Sequence, residues 1–182
     1  TTDSDTLITI SIIDKNGGSS RILISNTPSP KLAQVYYYPR FNINGDKIYY
    51  IFFSELEGLY SINTDGTDNS LLFEGSVYTD ILSMSNDWSK LVFSAESHIY
   101  ILNTKDNGIV DLGIGRGPNI SSDGSKVVFK GVKIMNSDGS GRMSLEYGWE
   151  PRFSHNKYNG HYKVVYTGER QIIKDSNKGI VF

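Results

Sequence analysis

Three histidines, His98, His155 and His161, are the only imidazoles this chain offers for general acid–base chemistry, and no cysteine is present to act as nucleophile or thiolate ligand. The Gly-x-Ser-x-Gly elbow, the phosphate-binding P-loop and the His-Glu-x-x-His zinc motif are all missing from the sequence. A Ser-His-Asp triad assembles from distant positions, but the histidines fall irregularly in the repeats, so none is expected. His155 and His161 share the stretch "SHNKYNGHYK", which contains no carboxylate to complete a metal site, so an exposed polar loop is expected there. "NTDGTDN" at 63–69 presents Asp65 and Asp68 as oxygen donors, yet it lacks the closing bidentate Glu and the spacing of a calcium loop. The same turn returns as "NSDGSGR" without its second carboxylate, which favours Asp and Gly as turn formers. "NIS" at 119–121 matches a glycosylation triplet but falls on an expected inner strand. No catalytic set, metal or cofactor is expected.

The side chains with the best claim to a function are aromatic. "YYYPRF" at 36–41 returns as "YGWEPRF" at 147–153, so that Tyr37 aligns with Trp149 and Arg40 with Arg152. Tyr36, Tyr37, Tyr38, Tyr78, Tyr147 and Trp149, with Arg40, Glu150 and Arg152 beside them, form the candidate binding set for a protein, peptide or glycan, because Tyr and Trp supply large contact area at low entropic cost. The competing expectation is that some of these rings wedge between blades, with the proline of each phrase at a strand start and Phe41 and Phe153 packing between blades.

Composition narrows the setting. The 182 residues carry a formal net charge of -2, with 38% hydrophobic and 12% aromatic residues, enough to bury a core. Eighteen Lys plus Arg are balanced by 20 Asp plus Glu without a long basic run, so no phosphate-neutralising surface for nucleic acid is expected. No apolar stretch approaches the ~20 residues of a membrane-spanning helix and the opening "TTDSDT" is polar, so neither a membrane helix nor a signal peptide is expected.

The elements that must position the aromatics are strands. "LITISIID", "KIYYIFF", "GLYSIN", "KLVFSA", "HIYILN", "KVVFK" and "KVVYTG" are short runs rich in Ile, Val, Tyr and Phe between Gly, Asn, Asp and Ser. Two signals alternate. A turn followed by Lys and an apolar strand occurs at Lys47, Lys90, Lys126 and Lys163, spaced by 43, 36 and 37 residues. A strand running into a turn occurs at Asp14, Asn63, Asn103, Asn136 and Lys174, spaced by 49, 40, 33 and 38. A period near ~40 residues is that of a four-stranded propeller blade, with the first signal between the two inner strands and the second between the two outer ones.

"PRFNINGDKIYYIF…GLYSINTDGT" and "PNISSDGSKVVFK…VKIMNSDGSGRMSL" resemble the TolB-type propeller repeat, with departures at Asn44-Gly45-Asp46, Asp87-Trp88 and His161-Tyr162. The expected fold is therefore all-β, a β-propeller of four-stranded antiparallel blades forming one domain over 1–182. Blades are expected at 39–73, 82–112, 118–146 and 151–182, with a half-blade of two outer strands at 8–25. The resemblance implies a six-bladed ring, of which about four and a half blades are present. The chain is accordingly expected to be a fragment of a longer protein or to associate with a second copy through open blade edges. It further implies a non-catalytic recognition or assembly module in the periplasm or secreted. The alternatives are the propeller portion of a larger hydrolase such as a prolyl peptidase, and a carbohydrate-lyase-like propeller enzyme with its histidines at the central channel.

Overall fold

A computed structural model of the chain describes residues 7–26, 35–53, 56–77, 82–168, 174–175 and 179–180. Among these residues every regular element is a strand. β1 (Ile8–Ile12) and β2 (Arg21–Asn26) form a two-stranded sheet. β3 (Val35–Phe41), β4 (Lys47–Phe53), β5 (Gly58–Asn63) and β6 (Ser70–Glu74) form a four-stranded antiparallel sheet in chain order. So do β7 (Ser83–Met84), β8 (Lys90–Ala95), β9 (His98–Asn103) and β10 (Ile109–Ile114), and then β11 (Asn119–Ile120), β12 (Lys126–Phe129), β13 (Lys133–Asn136) and β14 (Met143–Ser144). β15 (Trp149–Phe153) pairs with β16 (Val164–Thr167), and β17 (Lys174–Asp175) with β18 (Gly179–Ile180).

The sheets stack face to face, and the period of two along each second strand is the cause. In β4, Ile48 and Tyr50 join Ile10, Leu23, Ile24 and Ile62 in a core shared with the first sheet, while Tyr49 and Ile51 join Leu91, Phe93 and Leu102 in a core shared with the third. In β8 the same alternation sends Leu91 and Phe93 one way and Val92 the other, to a third core with Val127, Phe129 and Met135. Both faces of these strands are therefore buried, which explains why they read as unbroken apolar runs rather than as alternating ones.

One hairpin design recurs at the turn lysine. Ser85 Oγ accepts the Lys90 N–H at 3.1 Å and donates to Asp87 Oδ1 at 2.6 Å, and Ser121 repeats this with Lys126 at 3.0 Å and Asp123 at 2.7 Å. Asn42 Oδ1 accepts the Lys47 N–H at 3.2 Å, and Ser154 Oγ accepts the Lys163 N–H at 3.0 Å. The turn needs one left-handed residue, which is Gly45 (φ +72°), Gly124 (φ +69°) and, against the steric preference of an L-residue, Trp88 (φ +57°). Each outer hairpin is then tied to the inner one of its own sheet, by Thr64 N–H to Asp46 O at 2.8 Å, Thr104 N–H to Ser89 O at 3.0 Å and Ser137 N–H to Ser125 O at 2.9 Å.

Candidate binding site on the innermost strands

The repeated phrase is a β-bulge built twice. Tyr37 pairs with Ile51 and Arg40 with Tyr49, so two residues of β3 stand against one of β4; Trp149 pairs with Thr167 and Arg152 with Val165, with the same excess. The residue before each proline takes a left-handed conformation, Tyr38 at φ +52° and Glu150 at φ +50°. Pro39 and Pro151 thus lie inside bulges and not at strand starts as the sequence suggested, since the bulge also removes the need for a ladder donor. Each arginine then folds back on its proline, Arg40 Nη1 donating to Pro39 O at 3.0 Å and Arg152 Nη1 to Pro151 O at 2.9 Å. Phe153 packs against Tyr162 with ring centroids 5.5 Å apart, whereas Phe41, expected to pack between blades, is exposed.

The bulges divide the aromatics between different roles. Tyr36 is drawn inward, stacked on Phe52 at 4.8 Å and edge-on to Tyr50 at 5.6 Å in the core between the first two sheets. Burial pushes its phenol up, and no hydrogen bond satisfies its hydroxyl. Tyr37 and Tyr38 are half-buried, stacked on each other at 6.1 Å, and packed on the core between the second and third sheets. Tyr147 and Trp149 differ: Tyr147 is 72% exposed and meets the half-buried Trp149 edge-on at 5.4 Å. Glu150 is exposed, and Arg40 and Arg152 are half-buried. Tyr78 lies outside the described residues.

Two further positions of the innermost strands were not singled out from sequence. Ser83 pairs with Val92 and Asn119 with Val128, each opposite the second residue after a turn lysine, as Arg40 is opposite Tyr49 and Arg152 opposite Val165. Arg40, Ser83, Asn119 and Arg152 are therefore one register column of the innermost strands. The middle two show which way the column faces. Ser83 Oγ accepts from Asn119 Nδ2 at 2.9 Å and from the Ile120 N–H at 3.2 Å, and Asn119 Oδ1 accepts from the Phe153 N–H at 2.8 Å. Each side chain reaches across to the next innermost strand. Counting from the turn lysine would have found the column; the chemistry of its members, Arg, Ser, Asn and Arg, is too varied to draw the eye.

A cavity of about 190 Å³ opens between these strands, lined by Ser83, Asn119 and Ile120 with Asn86, Phe153 and His155. His155 is thus the histidine that lines this cavity. His98 stands on the outer strands, 2.7 Å from Asp111 through Nδ1, and Tyr158 and His161 close the inserted hairpin by backbone bonds. That hairpin is strapped to its neighbour: Lys157 Nζ is 2.9 Å from Asp123 Oδ2, and the Tyr162 hydroxyl meets Ser122 Oγ at 2.8 Å and accepts the Asp123 N–H at 3.1 Å. Asp65 and Asp68 do not converge on a shared ligand position; Asp65 Oδ1 accepts from the Thr67 N–H and hydroxyl at 2.9 and 2.6 Å, and Asp68 pairs with Lys47 at 3.1 Å.

No family model matches the sequence, and no curated protein does. Solved structures do. TolB from Acinetobacter baumannii superposes with a TM-score of 0.56 at 16% identity, over 94% of this chain and 47% of that one. An oligogalacturonate lyase in complex with manganese gives 0.56 at 14% identity, over 81% of this chain and 43% of that one. The β-propeller domain of the Trilobed protease from Pyrococcus furiosus gives 0.51 at 15% identity, over 87% of this chain and 49% of that one. The chain spans about half the length of each of these structures. At such identities the likeness shows the fold alone, that of a β-propeller, which TolB shares.

Proposed function

We propose that this propeller is a non-catalytic recognition and assembly module, working outside the cytoplasm, that takes a protein or peptide partner at its blade starts. The observation that carries the reading is the Tyr147–Trp149 pair. A tyrosine 72% exposed, held edge-on at 5.4 Å by a half-buried tryptophan on a bulged innermost strand, is a large amphipathic surface that the fold does not use for its own packing. Such pairs make binding anchors, because their rings desolvate readily and lose little conformational entropy. Arg152 and Glu150 flank it with charge of both signs.

The non-catalytic part of the reading rests on where the histidines lie. His98 faces Asp111 on the outer strands, away from the cavity, and the side chains that line the cavity with His155 are amides, hydroxyls and apolar groups. Among the described residues no carboxylate joins His155 and the serines in that lining, which supports the reading. A glycan ligand would use the same aromatic pair, and the test includes it.

A library of displayed peptides and an array of oligosaccharides, each challenged with the chain and with a Tyr147→Ala, Trp149→Ala double variant, tests the proposal. Binders whose retention drops by ~10-fold or more on the double variant are expected. Binders that ignore the substitutions, or turnover of any arrayed saccharide or peptide, would overturn it.

A further inference from the structure

Four Asn-Gly steps occur in the chain, at Asn16, Asn44, Asn107 and Asn159, and all four are exposed and lie between strands. Such a step carries its own reactive pair. The backbone nitrogen after the asparagine can attack the side-chain Cγ, and a glycine at that position, having no Cβ, lets the two approach. In a folded chain the reaction needs that nitrogen free to turn toward Cγ. Three of the four are held. The Gly17 N–H donates to Asp14 O at 2.9 Å, the Gly45 N–H to Asn42 O at 3.2 Å and the Gly108 N–H to Asp106 Oδ1 at 2.9 Å. Asn107 is held at its side chain as well, where Oδ1 accepts from the Tyr49 hydroxyl at 3.3 Å. The fourth step is built differently. Tyr158 and His161 bond to each other, N–H to O at 2.7 and 3.1 Å, so Asn159 and Gly160 stand at the tip of the inserted hairpin, beyond its closing pair. A Cβ built on Gly160 would meet nothing within 4 Å, so no neighbour restricts the tip. A single isolated bridge closes this hairpin, and a segment held by so few bonds opens readily.

We propose that Asn159 is a site of spontaneous deamidation, selected by the fold from among the four steps. The Gly160 nitrogen forms a bond to Asn159 Cγ, and the side-chain nitrogen departs as ammonia, carrying the proton that the Gly160 amide gives up. Water then opens the resulting cyclic imide at either carbonyl, leaving aspartate or isoaspartate; one water is consumed, one ammonia is released and nothing is oxidised or reduced. The consequence is local and electrostatic. The stretch from Ser154 to Lys163 holds two lysines, two histidines and no carboxylate, so the product is its first negative charge. That charge arises on the hairpin that Lys157 straps to Asp123 at 2.9 Å and that brings His155 to the cavity beside Ser83 and Asn119.

Incubation of the full chain in water enriched in oxygen-18, at pH 6 and at pH 8, followed over time by peptide mapping and mass spectrometry, tests this. The heavy oxygen marks only those residues that convert during the incubation. Asn159 is expected to convert ~5-fold or more faster than Asn16, Asn44 and Asn107, since each of those must first break a hydrogen bond at its glycine nitrogen. Its rate should be higher at pH 8 than at pH 6, because the attacking nitrogen must lose a proton, and both aspartate and isoaspartate should be recovered. A parallel incubation in urea separates the fold from the local sequence. With the turn bonds gone, the four steps should convert at similar rates. No labelled product at Asn159, conversion of any of the other three as fast as Asn159 in the folded chain, or the same ranking in urea would overturn the inference.

Discussion

Single residues in this protein do more for the turns than for any site. Asp123 is the clearest case. Burial pushes its carboxyl up, but Lys157, the hydroxyls of Ser125 and Ser121 and the Ser125 N–H together outweigh that and hold it well below the usual carboxylate range. A depressed folded-state value means that the stabilisation is complete above the unfolded carboxylate range, near pH ~4, and is lost as pH falls below it. Urea midpoints measured at pH 5, 4 and 3 should therefore decline, and Lys157→Gln should flatten the decline relative to the parent by removing the ion pair at 2.9 Å. The left-handed turn position gives a second test. A Cβ on Gly124 would sit 3.3 Å from Ser85 Cβ at φ +69°, so Gly124→Ala should cost ~1–2 kcal/mol in chemical denaturation. Trp88→Gly, at the equivalent position in the preceding sheet, should cost little or raise stability by ~1 kcal/mol. The sequence showed that Asp87-Trp88 broke the Asp-Gly pattern; it could not show that the backbone keeps the glycine conformation regardless, because that is imposed by Ser85 and Lys90 closing the hairpin.

At the scale of elements, strand identities were legible and strand details were not. Apolar runs such as "KIYYIFF" and "KLVFSA" announced β4 and β8, and Lys47, Lys90 and Lys126 each open a second strand as the repeat implied. The bulge was hidden because it is a property of the pair: one extra residue in β3 becomes visible only when Tyr37 and Arg40 are matched to Ile51 and Tyr49. Its consequence is large, since it decides that Tyr36 enters the core while Arg40 joins the column. The strained residue of the second bulge is exposed and so makes a clean test. Glu150→Gly should leave stability unchanged or raise it by up to ~1 kcal/mol, whereas Glu150→Val should lower it by ~1 kcal/mol or more, read from urea melts, because a β-branched side chain suffers most at φ +50°.

At the scale of the molecule, the sheets are held by faces, and the last described face is bare. Tyr49, Val92 and Val128 occupy one repeat position and are all 0% exposed, each covered by the following sheet, while Val165 at the same position is 68% exposed. Val165→Lys should therefore shift the denaturation midpoint by no more than ~0.5 kcal/mol, and Val92→Lys should prevent folding, since a lysine there would be buried without a partner. The composition, the ~40-residue period and the paired turn signals by themselves determined an all-β chain with repeated four-stranded antiparallel sheets, because those features are local: a turn needs its own Gly or Asp, and a strand its own apolar run. Which aromatics face solvent, that Ser83 and Asn119 belong to one column with Arg40 and Arg152, and that His155 alone of the histidines lines the cavity beside Ser83 and Asn119 were decided only in three dimensions. Each depends on the register between strands and the stacking between sheets, which are relations among distant residues that no short stretch of sequence carries.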